Sequence, residues 1–398
     1  MPGSHAATLP FSSPQFWTGS NLTWSLLARV DGRAYNLFGV PAPGQGTRPA
    51  SVVSAQYTST HTIFTVAAGS ASFRLDFFSP VSPANYIRQS LPFSYLTIYA
   101  SGTNGSTHVQ LYSDIDDTWT GQSASTTWNY TTSGVTSLYQ LSANGTATYS
   151  ENNDQALWGE AVYASRPSNS SRISTQSGHS DTVRTQFASN GTLTGEQPAW
   201  TTGGVVGIAH DLGSVSTETS ITFAIGYVRE KAVNYLSSDR TGYYRATYKD
   251  TVSAVSHFLD DYADAQTESQ SMDTSLASKA SSSAGTNYSD IVTLSARQVY
   301  GALDLTIPND SLDTNDTMVF IKEISSDGNV NTVDVIYPAY PAFYVMDPEY
   351  IKLLLEPVVQ YLASGRWKQV RVRMSIMHTL ADSEYSALCH SRHRQPLS

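Results

Sequence analysis

Between residues 11 and 230, apolar and polar residues alternate with a period of two, and Gly, Asn or Asp interrupts the alternation at short intervals. This pattern is typical of short antiparallel strands joined by tight turns. It predicts hairpins at 24–30 with 35–40 across Asp31-Gly32, at 60–66 with 70–78 across Ala68-Gly69, and at 138–141 with 146–149 across Asn144-Gly145. Further strands are predicted at 96–100, 108–112, 158–163, 205–209 and 220–227. Because no helical period separates them, these strands favour a β-sandwich.

After residue 230 the apolar residues recur at helical spacing instead. One predicted helix carries Val252, Val255, Leu259 and Tyr262, and a second carries Ile291, Leu294, Gln298, Ala302 and Leu305 before Pro308. A third has Asp347 as its N-cap and Pro348 at its first position, and it runs to Gly365 with a kink expected at Pro357.

The change of period predicts a multidomain β + α protein. We expect an N-terminal antiparallel β-sandwich domain at 1–245, the beginning of an α-helical domain at 246–368, and a separate tail at 369–398. Three helices seldom complete a helical domain, so the helical part is expected to be partial.

The composition narrows the range of partners. Only 14% of the 398 residues are charged, and the net charge is −10 with a pI near 5.3. An acidic chain offers no basic surface to a phosphate backbone, so neither nucleic acid nor an anionic membrane is an expected partner. The sequence contains neither an apolar run of membrane-spanning length nor a recognisable signal peptide at its N-terminus.

The charge is divided unevenly along the chain. Residues 366–398 contain six basic and two acidic residues, a charge of +4, which leaves −14 for the preceding 365 residues. The single cysteine, Cys389, also lies in this tail, so the rest of the chain can form neither a disulfide nor a cysteine-based zinc site. Because its charge and residue composition differ from those of the rest of the chain, we expect the tail to be non-native or disordered.

The chain also contains nine Asn-x-Ser/Thr sequons, which are acceptors for N-linked glycans in secreted proteins. Their number favours a secreted glycoprotein whose leader is absent from this chain, although turns in a Ser/Thr-rich protein produce such sequons by chance as well. The sequons are at Asn21, Asn104, Asn129, Asn144, Asn169, Asn190, Asn287, Asn309 and Asn315.

No short motif identifies a catalytic nucleophile, since neither Gly-x-Ser-x-Gly nor Ser-x-x-Lys is present. Asp114, Asp116 and Asp117, followed by Trp119, could bind calcium or a polar ligand, but carboxylates that satisfy loop amides are the favoured interpretation. His179 and Asp181 are interpreted as surface residues of a polar loop. The sequence predicts neither a metal ion nor a cofactor.

The segment from Val319 to Tyr344 embeds ionisable residues in apolar and aromatic sequence. Desolvation in such a setting shifts pKa values and prepares carboxylates for acid/base catalysis. Its aromatic residues and prolines also suit a connection between helices that lines a cavity. An equally weighted interpretation is an Asp327-Gly328 hairpin turn with a surface pair of Lys322 and Glu323.

Several longer strings resemble the fungal secreted glutaminase A family over roughly residues 10–368. The strings are Ser13-Pro-Gln-Phe-Trp-Thr18, Asp76-Phe-Phe-Ser-Pro-Val81, Arg88-Gln-Ser-Leu-Pro-Phe93, Tyr112-Ser-Asp-Ile-Asp-Asp117 with Trp119, Leu157-Trp-Gly-Glu160 and Asp334-Val-Ile-Tyr-Pro-Ala339. The resemblance implies a β-sandwich followed by an (α/α)6 toroid of the six-hairpin kind, and extracellular hydrolysis of L-glutamine to L-glutamate and ammonia.

Family members begin with a signal peptide and continue into further helical hairpins after the position of Lys368. We therefore expect the chain to be truncated at both ends, to hold the opening helices of the toroid and to be inactive alone.

No motif fixes the catalytic pair, so it is assigned on physical grounds. Asp334 and Glu323 are the candidate catalytic carboxylates, one to activate water and the other to protonate the leaving ammonia. Lys322 is expected to stabilise a carboxylate or an oxyanion, and Tyr337 and Tyr340 are expected to line the substrate pocket.

Two other functions remain open. A six-hairpin carbohydrate-active hydrolase would keep the fold and change the substrate, with two carboxylates about 6.5–9.5 Å apart in an inverting geometry. A non-catalytic β-sandwich binding module would use Asp114, Asp116, Asp117 and Trp119 as a shallow exposed site.

Overall fold

Most of the short alternating segments form strands. A computed structural model of the chain describes residues 6–39, 46–103, 105–121, 125–168, 171–195, 200–323 and 328–366. Its strands are β1 (Trp24–Val30), β2 (Arg33–Phe38), β3 (Arg48–Pro49), β4 (Ser51–Tyr57), β5 (His61–Ala68), β6 (Ala71–Phe78), β7 (Phe93–Gly102), β8 (Thr107–Ile115), β9 (Thr126–Ser133), β10 (Thr136–Ala143), β11 (Glu151–Asn152), β12 (Gln155–Ala156), β13 (Glu160–Ser165), β14 (Arg172–His179), β15 (Gly204–Val215), β16 (Thr219–Val228), β17 (Val233–Tyr235), β18 (Ser238–Gly242), β19 (Leu303–Pro308) and β20 (Met318–Ile321).

The helices follow mainly after residue 250. They are α1 (Tyr86–Ser90), α2 (Ser180–Asn190), α3 (Thr251–Asp260), α4 (Tyr262–Ala284), α5 (Thr286–Gly301), α6 (Val333–Met346) and α7 (Glu349–Ala363). Short 3₁₀ helices occupy Ala6–Phe11, Asp117–Thr120 and Tyr243–Ala246.

Two of the three predicted hairpins are confirmed. β1 pairs with β2 around Asp31-Gly32, and β5 pairs with β6 around Ala68-Gly69. The third prediction was wrong, because β10 turns back onto the preceding strand β9 and Asn144-Gly145 is followed by irregular chain. A two-residue turn signal therefore identified a turn here without identifying the strand that pairs across it.

The strands form two large sheets that share one apolar core. One sheet has the order β14-β15-β8-β1-β2-β3 and the other the order β4-β5-β6-β7-β16-β13-β10-β9. All pairs are antiparallel except the short parallel pair of β2 with β3. The core contains Leu26 and Leu111 from one sheet with Phe73, Leu96 and Phe223 from the other. The predicted antiparallel β-sandwich, followed by a helical region, is confirmed.

The β-rich part contains a helix that the sequence did not predict. The residues around His179 and Asp181, interpreted as a polar loop, form the end of β14 and the start of α2. The helix has no clear apolar stripe, and it is attached to the sheet through Val183, Phe187 and the buried Arg184. Gly191 ends it in the left-handed region with φ +76°, and a Cβ there would lie 1.9 Å from Gln110 Oε1.

The first predicted helix is α3, but Tyr262, which was expected on it, begins α4 instead. Asp250 caps α3 by accepting the Ser253 N–H at 2.7 Å, and Gly285 at φ +84° separates α4 from α5. Leu305, expected on the second helix, lies instead on β19. The third predicted helix is α7, but its N-cap is Pro348 and not Asp347, and its first residue is Glu349. Asp347 Oδ1 still accepts the Glu349 N–H at 3.0 Å, and the helix continues through Pro357.

The described residues pack into two units. The first unit lies within Met1–Pro80, Pro92–Arg229 and Tyr248–Gln266, and it holds the two large sheets with α2 and α3. The second unit lies within Val81–Leu91, Glu230–Thr247 and Thr267–Ser398, and it holds the sheet β17-β18-β19-β20 with α1, α5, α6 and α7. The domain bounds expected at residues 245 and 368 stay predictions, and residues 369–398 lie outside the described ranges. None of the helices in the described ranges has the length and apolar character needed to cross a membrane.

Candidate functional site

The segment of mixed ionisable and aromatic residues begins where β20 ends. Lys322 forms a bridge with Val330, and the Glu323 N–H donates to the Asn329 carbonyl at 2.8 Å. The chain therefore turns back antiparallel to itself after β20. Residues 324–327, which include Asp327 of the expected hairpin turn, lie outside the described residues.

Asn331 fixes the path from this turn into α6. It has a left-handed backbone at φ +58°, and only 5% of its surface is exposed. Its Oδ1 accepts the Ile321 N–H at 2.7 Å, and its Nδ2 donates to the carbonyl of Leu354 at 3.2 Å. One buried side chain thus joins β20, the start of α6 and α7. Asn331 was not among the predicted site residues, although Asn is the non-glycine residue that tolerates this conformation best.

Asp334 lies in the first turn of α6, where the helix dipole favours a carboxylate. Its side chain is exposed, which differs from the expected apolar setting. The reason is the helical period: Ile336, Ala339 and Phe343 form the buried stripe of α6, and Asp334 is on the opposite face. Glu323, at the end of the β20 extension, is half-buried.

The tyrosines of this segment share the exposed side of α6 with Asp334. Tyr337 is one turn beyond Asp334 and is 65% exposed, and Tyr340 is 44% exposed. Tyr340 stacks on Tyr344 with their ring centroids 5.8 Å apart. The prediction that these aromatic residues and prolines form a connection between helices was wrong, because Pro338 and Pro341 lie inside α6. Each proline removes one helical N–H donor.

Lys322 is engaged by another carboxylate. Its Nζ lies 2.8 Å from Asp304 Oδ2, where Asp304 belongs to β19. The lysine charge is therefore already partly balanced within the second unit. The structure brings Lys322 and Glu323 to the end of β20, and Asp334 and Tyr337 to the start of α6.

A separate open cleft lies in the same unit. It has a volume of about 520 Å³ and is lined by Ala84, Asn85, Tyr86, Ile87, Tyr243 and Asp347. The rings of Tyr86 and Tyr243 meet edge to face at 5.5 Å, and Tyr86 also contacts the buried Tyr350 at 5.8 Å. Burial, together with the negative charges of Asp347 and Glu349, raises the pKa of Tyr86. From the sequence, Asp347 was predicted only as a helix cap.

The acidic cluster of the first unit has a structural role. Arg184 binds both oxygens of Asp114 at 2.7 and 3.0 Å, and Tyr112 donates to the same carboxylate at 2.5 Å. Asp116 caps the 3₁₀ helix Asp117–Thr120, and Asp117 Oδ2 accepts the Trp200 indole N–H at 3.1 Å. Within the described ranges, no three metal-ligating side chains come together as a metal site. The favoured interpretation, carboxylates that satisfy local donors, agrees with these contacts.

Comparison with known proteins divides the chain between two family profiles. Residues 60–279 match a domain of unknown function, DUF5127, and residues 285–376 match the glutaminase A six helical-hairpin domain. Glutaminase A of Aspergillus oryzae is 33% identical over 382 residues, which is 92% of this chain and 54% of that protein. The chain belongs to the glutaminase A family.

A second relative matches a similar share of this chain. The "Probable glutaminase" of Arthroderma benhamiae is 29% identical over 403 residues, which is 90% of this chain and 45% of that protein. The chain thus spans about half the length of the curated relatives it matches. Among solved structures, heparinase III aligns with 46% of this chain and 22% of its own at 9% identity and a TM-score of 0.25, a likeness too low to support an inference.

The six helical-hairpin profile includes all the candidate site residues from Lys322 to Asp347. Tyr86 and Tyr243, the aromatic residues of the cleft, lie within the DUF5127 profile. The second unit therefore combines residues from both profiles.

Proposed function

We propose that the protein is an extracellular amidohydrolase that converts L-glutamine to L-glutamate and ammonia. The observation that carries this proposal is the 33% identity to Glutaminase A across 92% of the chain. The six helical-hairpin profile over residues 285–376 supports the same substrate class.

In the proposed mechanism, Asp334 takes a proton from water while the water oxygen attacks the amide carbon of glutamine. Glu323 donates a proton to the amide nitrogen as the carbon–nitrogen bond breaks, and ammonia leaves. What supports this pair is its position in the chain, since Glu323 begins the connection from β20 to α6 and Asp334 lies in the first turn of α6. Tyr337, one turn from Asp334, and Tyr340 would contact the substrate, and Lys322, held by Asp304, would stabilise negative charge near Glu323.

The activity is tested with this chain and with a hybrid in which the chain replaces the matching segment of the Aspergillus oryzae protein. Ammonia and glutamate are measured with L-glutamine, D-glutamine and L-asparagine as substrates. Equimolar release of both products from L-glutamine, by the chain or by the hybrid, supports the proposal. A hybrid that is folded by circular dichroism and releases no ammonia from glutamine contradicts it.

The same assay includes glycan substrates. Release of reducing sugar without release of ammonia would favour a carbohydrate-active hydrolase with the same fold. The third function, a binding site on the β-sandwich, has less support, because Asp114, Asp116 and Asp117 are each bound to donors of their own unit.

The catalytic pair is tested by Asp334→Asn and Glu323→Gln in whichever of these two proteins is active. Each substitution keeps the size of the side chain and removes the titratable proton, so kcat should fall at least about 100-fold. Glu349→Gln is the matched control, because Glu349 is an exposed carboxylate in the first turn of the next helix. Turnover within a factor of two for both variants would exclude this pair.

A further inference from the structure

The cleft on the second unit presents one charge and two aromatic rings. Among its lining residues, the charged side chain is Asp347, and Tyr86 and Tyr243 provide the rings. The cleft is shallow and open to solvent, so a ligand would contact it on one side and keep its other side in water. Ala84, Asn85 and Ile87, which complete the lining, add no charge.

Asp347 is available for a ligand on one of its two oxygens. Its Oδ1 accepts the Glu349 N–H at the start of α7. In the part of the chain that the structure describes, Asp347 has no basic partner, whereas the neighbouring Glu349 is paired with Lys352 at 2.8 Å. The residue lies between the carboxyl end of α6 and the amino end of α7, whose dipoles oppose each other there, so the local charge is that of the Asp347 carboxylate itself. A cation is therefore the ligand that this position favours.

A buried phenol lies within electrostatic range of the same cleft. Tyr300 is 2% exposed, and its hydroxyl has no hydrogen-bond partner among the described residues. Burial, followed by the charges of Asp347 and Tyr86, raises the pKa of Tyr300. Its ring packs on Phe343 and Tyr350 at 5.6 and 5.4 Å, and Tyr350 in turn contacts Tyr86 of the cleft.

We propose that the cleft formed by Tyr86, Tyr243 and Asp347 binds the ammonium group of a small aliphatic amine or amino acid. The Asp347 carboxylate pairs with the ammonium charge, and the two tyrosine rings contact it through their negative faces. An aromatic cleft with a carboxylate can also bind a sugar by stacking and by hydroxyl hydrogen bonds, but only a cation balances the charge of Asp347, which has no basic partner among the described residues.

This site is distinct from the proposed catalytic pair. Asp334 is in the first turn of α6 and Asp347 follows its last residue, so the helix separates them by about 20 Å. One glutamine molecule cannot contact both residues. The two proposals therefore make separate predictions, and either one can fail without the other.

The inference is tested by saturation-transfer NMR titration of the purified chain with n-butylammonium chloride. n-Butanol is the neutral probe of the same shape, sodium chloride controls for ionic strength, and methyl β-glucoside tests for a sugar site. Asp347→Asn removes the charge and keeps an oxygen that can cap α7. Glu349→Gln is the matched carboxylate control, and Tyr86→Phe and Tyr86→Leu separate the hydroxyl from the ring.

We expect n-butylammonium to bind and n-butanol not to bind. Asp347→Asn should weaken n-butylammonium binding about tenfold or more, since a charge-assisted contact is lost. Tyr86→Leu should weaken it several-fold, while Tyr86→Phe and Glu349→Gln should stay within twofold. Equal binding of the amine and the alcohol, methyl β-glucoside binding in preference to the amine, or unchanged affinity in a folded Asp347→Asn variant would overturn the inference.

Discussion

His210 is an ionisable residue in a buried position that disfavours its charged form. It is fully buried on β15, and its ring nitrogens lie 2.9 Å from Ser165 Oγ and 3.4 Å from Ser171 Oγ. The edge of its ring also meets Phe223 at 5.4 Å. Burial lowers the pKa of His210 to about 3. The folded protein therefore keeps this histidine neutral at all but strongly acidic pH.

This predicts an acid-dependent loss of stability. Below about pH 6.5 the unfolded chain protonates this histidine and the folded chain does not, so the free energy of unfolding falls as the pH falls toward 3. The contribution reaches at most about 5 kcal/mol, at about 1.4 kcal/mol for each unit of pKa difference. Urea unfolding of His210→Gln between pH 7 and 4 should show a shallower loss than the original protein.

The exposed histidine His179 provides the control for this experiment. His179→Gln should leave the pH dependence of the free energy of unfolding close to that of the original protein. The same pH dependence in all three proteins would mean that His210 is not the group responsible.

At the scale of elements, α2 and α6 explain why part of the structure could not be predicted. The apolar period that identified α3 is weak in α2, because α2 is attached to its sheet partly by the buried ion pair of Arg184 with Asp114. In α6 the prolines suggested a connection, but the stripe of Ile336, Ala339 and Phe343 is buried and keeps the segment helical. Tertiary packing stabilises α2 and α6 as helices, and local sequence patterns carry little information about tertiary packing.

The role of the ion pair in α2 leads to a prediction. Arg184→Met removes one partner of a pair whose side chains are 5% and 0% exposed, and it leaves the Asp114 charge buried. We expect this to lower the free energy of unfolding by about 3–5 kcal/mol. Arg172→Met is the matched control, because its side chain is 90% exposed and its contact to Asp211 at 3.7 Å is long.

Chemical denaturation of both variants measures this effect. Arg172→Met should cost less than about 1 kcal/mol, as exposed ion pairs usually do. A similar loss in both variants would show that α2 does not depend on the buried pair.

At the scale of the whole molecule, the order of sandwich and helices followed from the periods of the sequence, and the family followed from strings such as Asp76–Val81. The assignment of chain segments to the two units did not follow from the sequence. Residues 81–91 and 230–245, which the sequence predicts as parts of the sandwich domain, pack in the second unit with α5, α6 and α7. Tyr86 and Tyr243 reach the cleft for this reason. Contacts between residues so distant in sequence have no local signal, so the cleft could not be anticipated.

Most of the sequons lie where a glycosylating enzyme can reach them, which bears on secretion. Of the seven whose asparagines are described, six are exposed and Asn309 is half-buried, while Asn104 and Asn169 lie outside the described residues. Oligosaccharide transfer requires an accessible asparagine side chain. Exposure of the side chain therefore favours N-glycosylation at Asn21, Asn129, Asn144, Asn190, Asn287 and Asn315. The chain should therefore carry N-linked glycans when it is expressed in a fungal host behind a cleavable secretion leader.

Peptide mass spectrometry before and after endoglycosidase treatment identifies the occupied sites. We expect glycans at most of the six exposed asparagines and lower occupancy at Asn309, because its half-buried side chain is less accessible. Replacing the Thr or Ser of each occupied sequon by Ala is the control, since it removes the acceptor motif and keeps the asparagine. Secreted protein that is folded and carries no glycan at any of these asparagines would contradict the interpretation of the chain as a secreted glycoprotein.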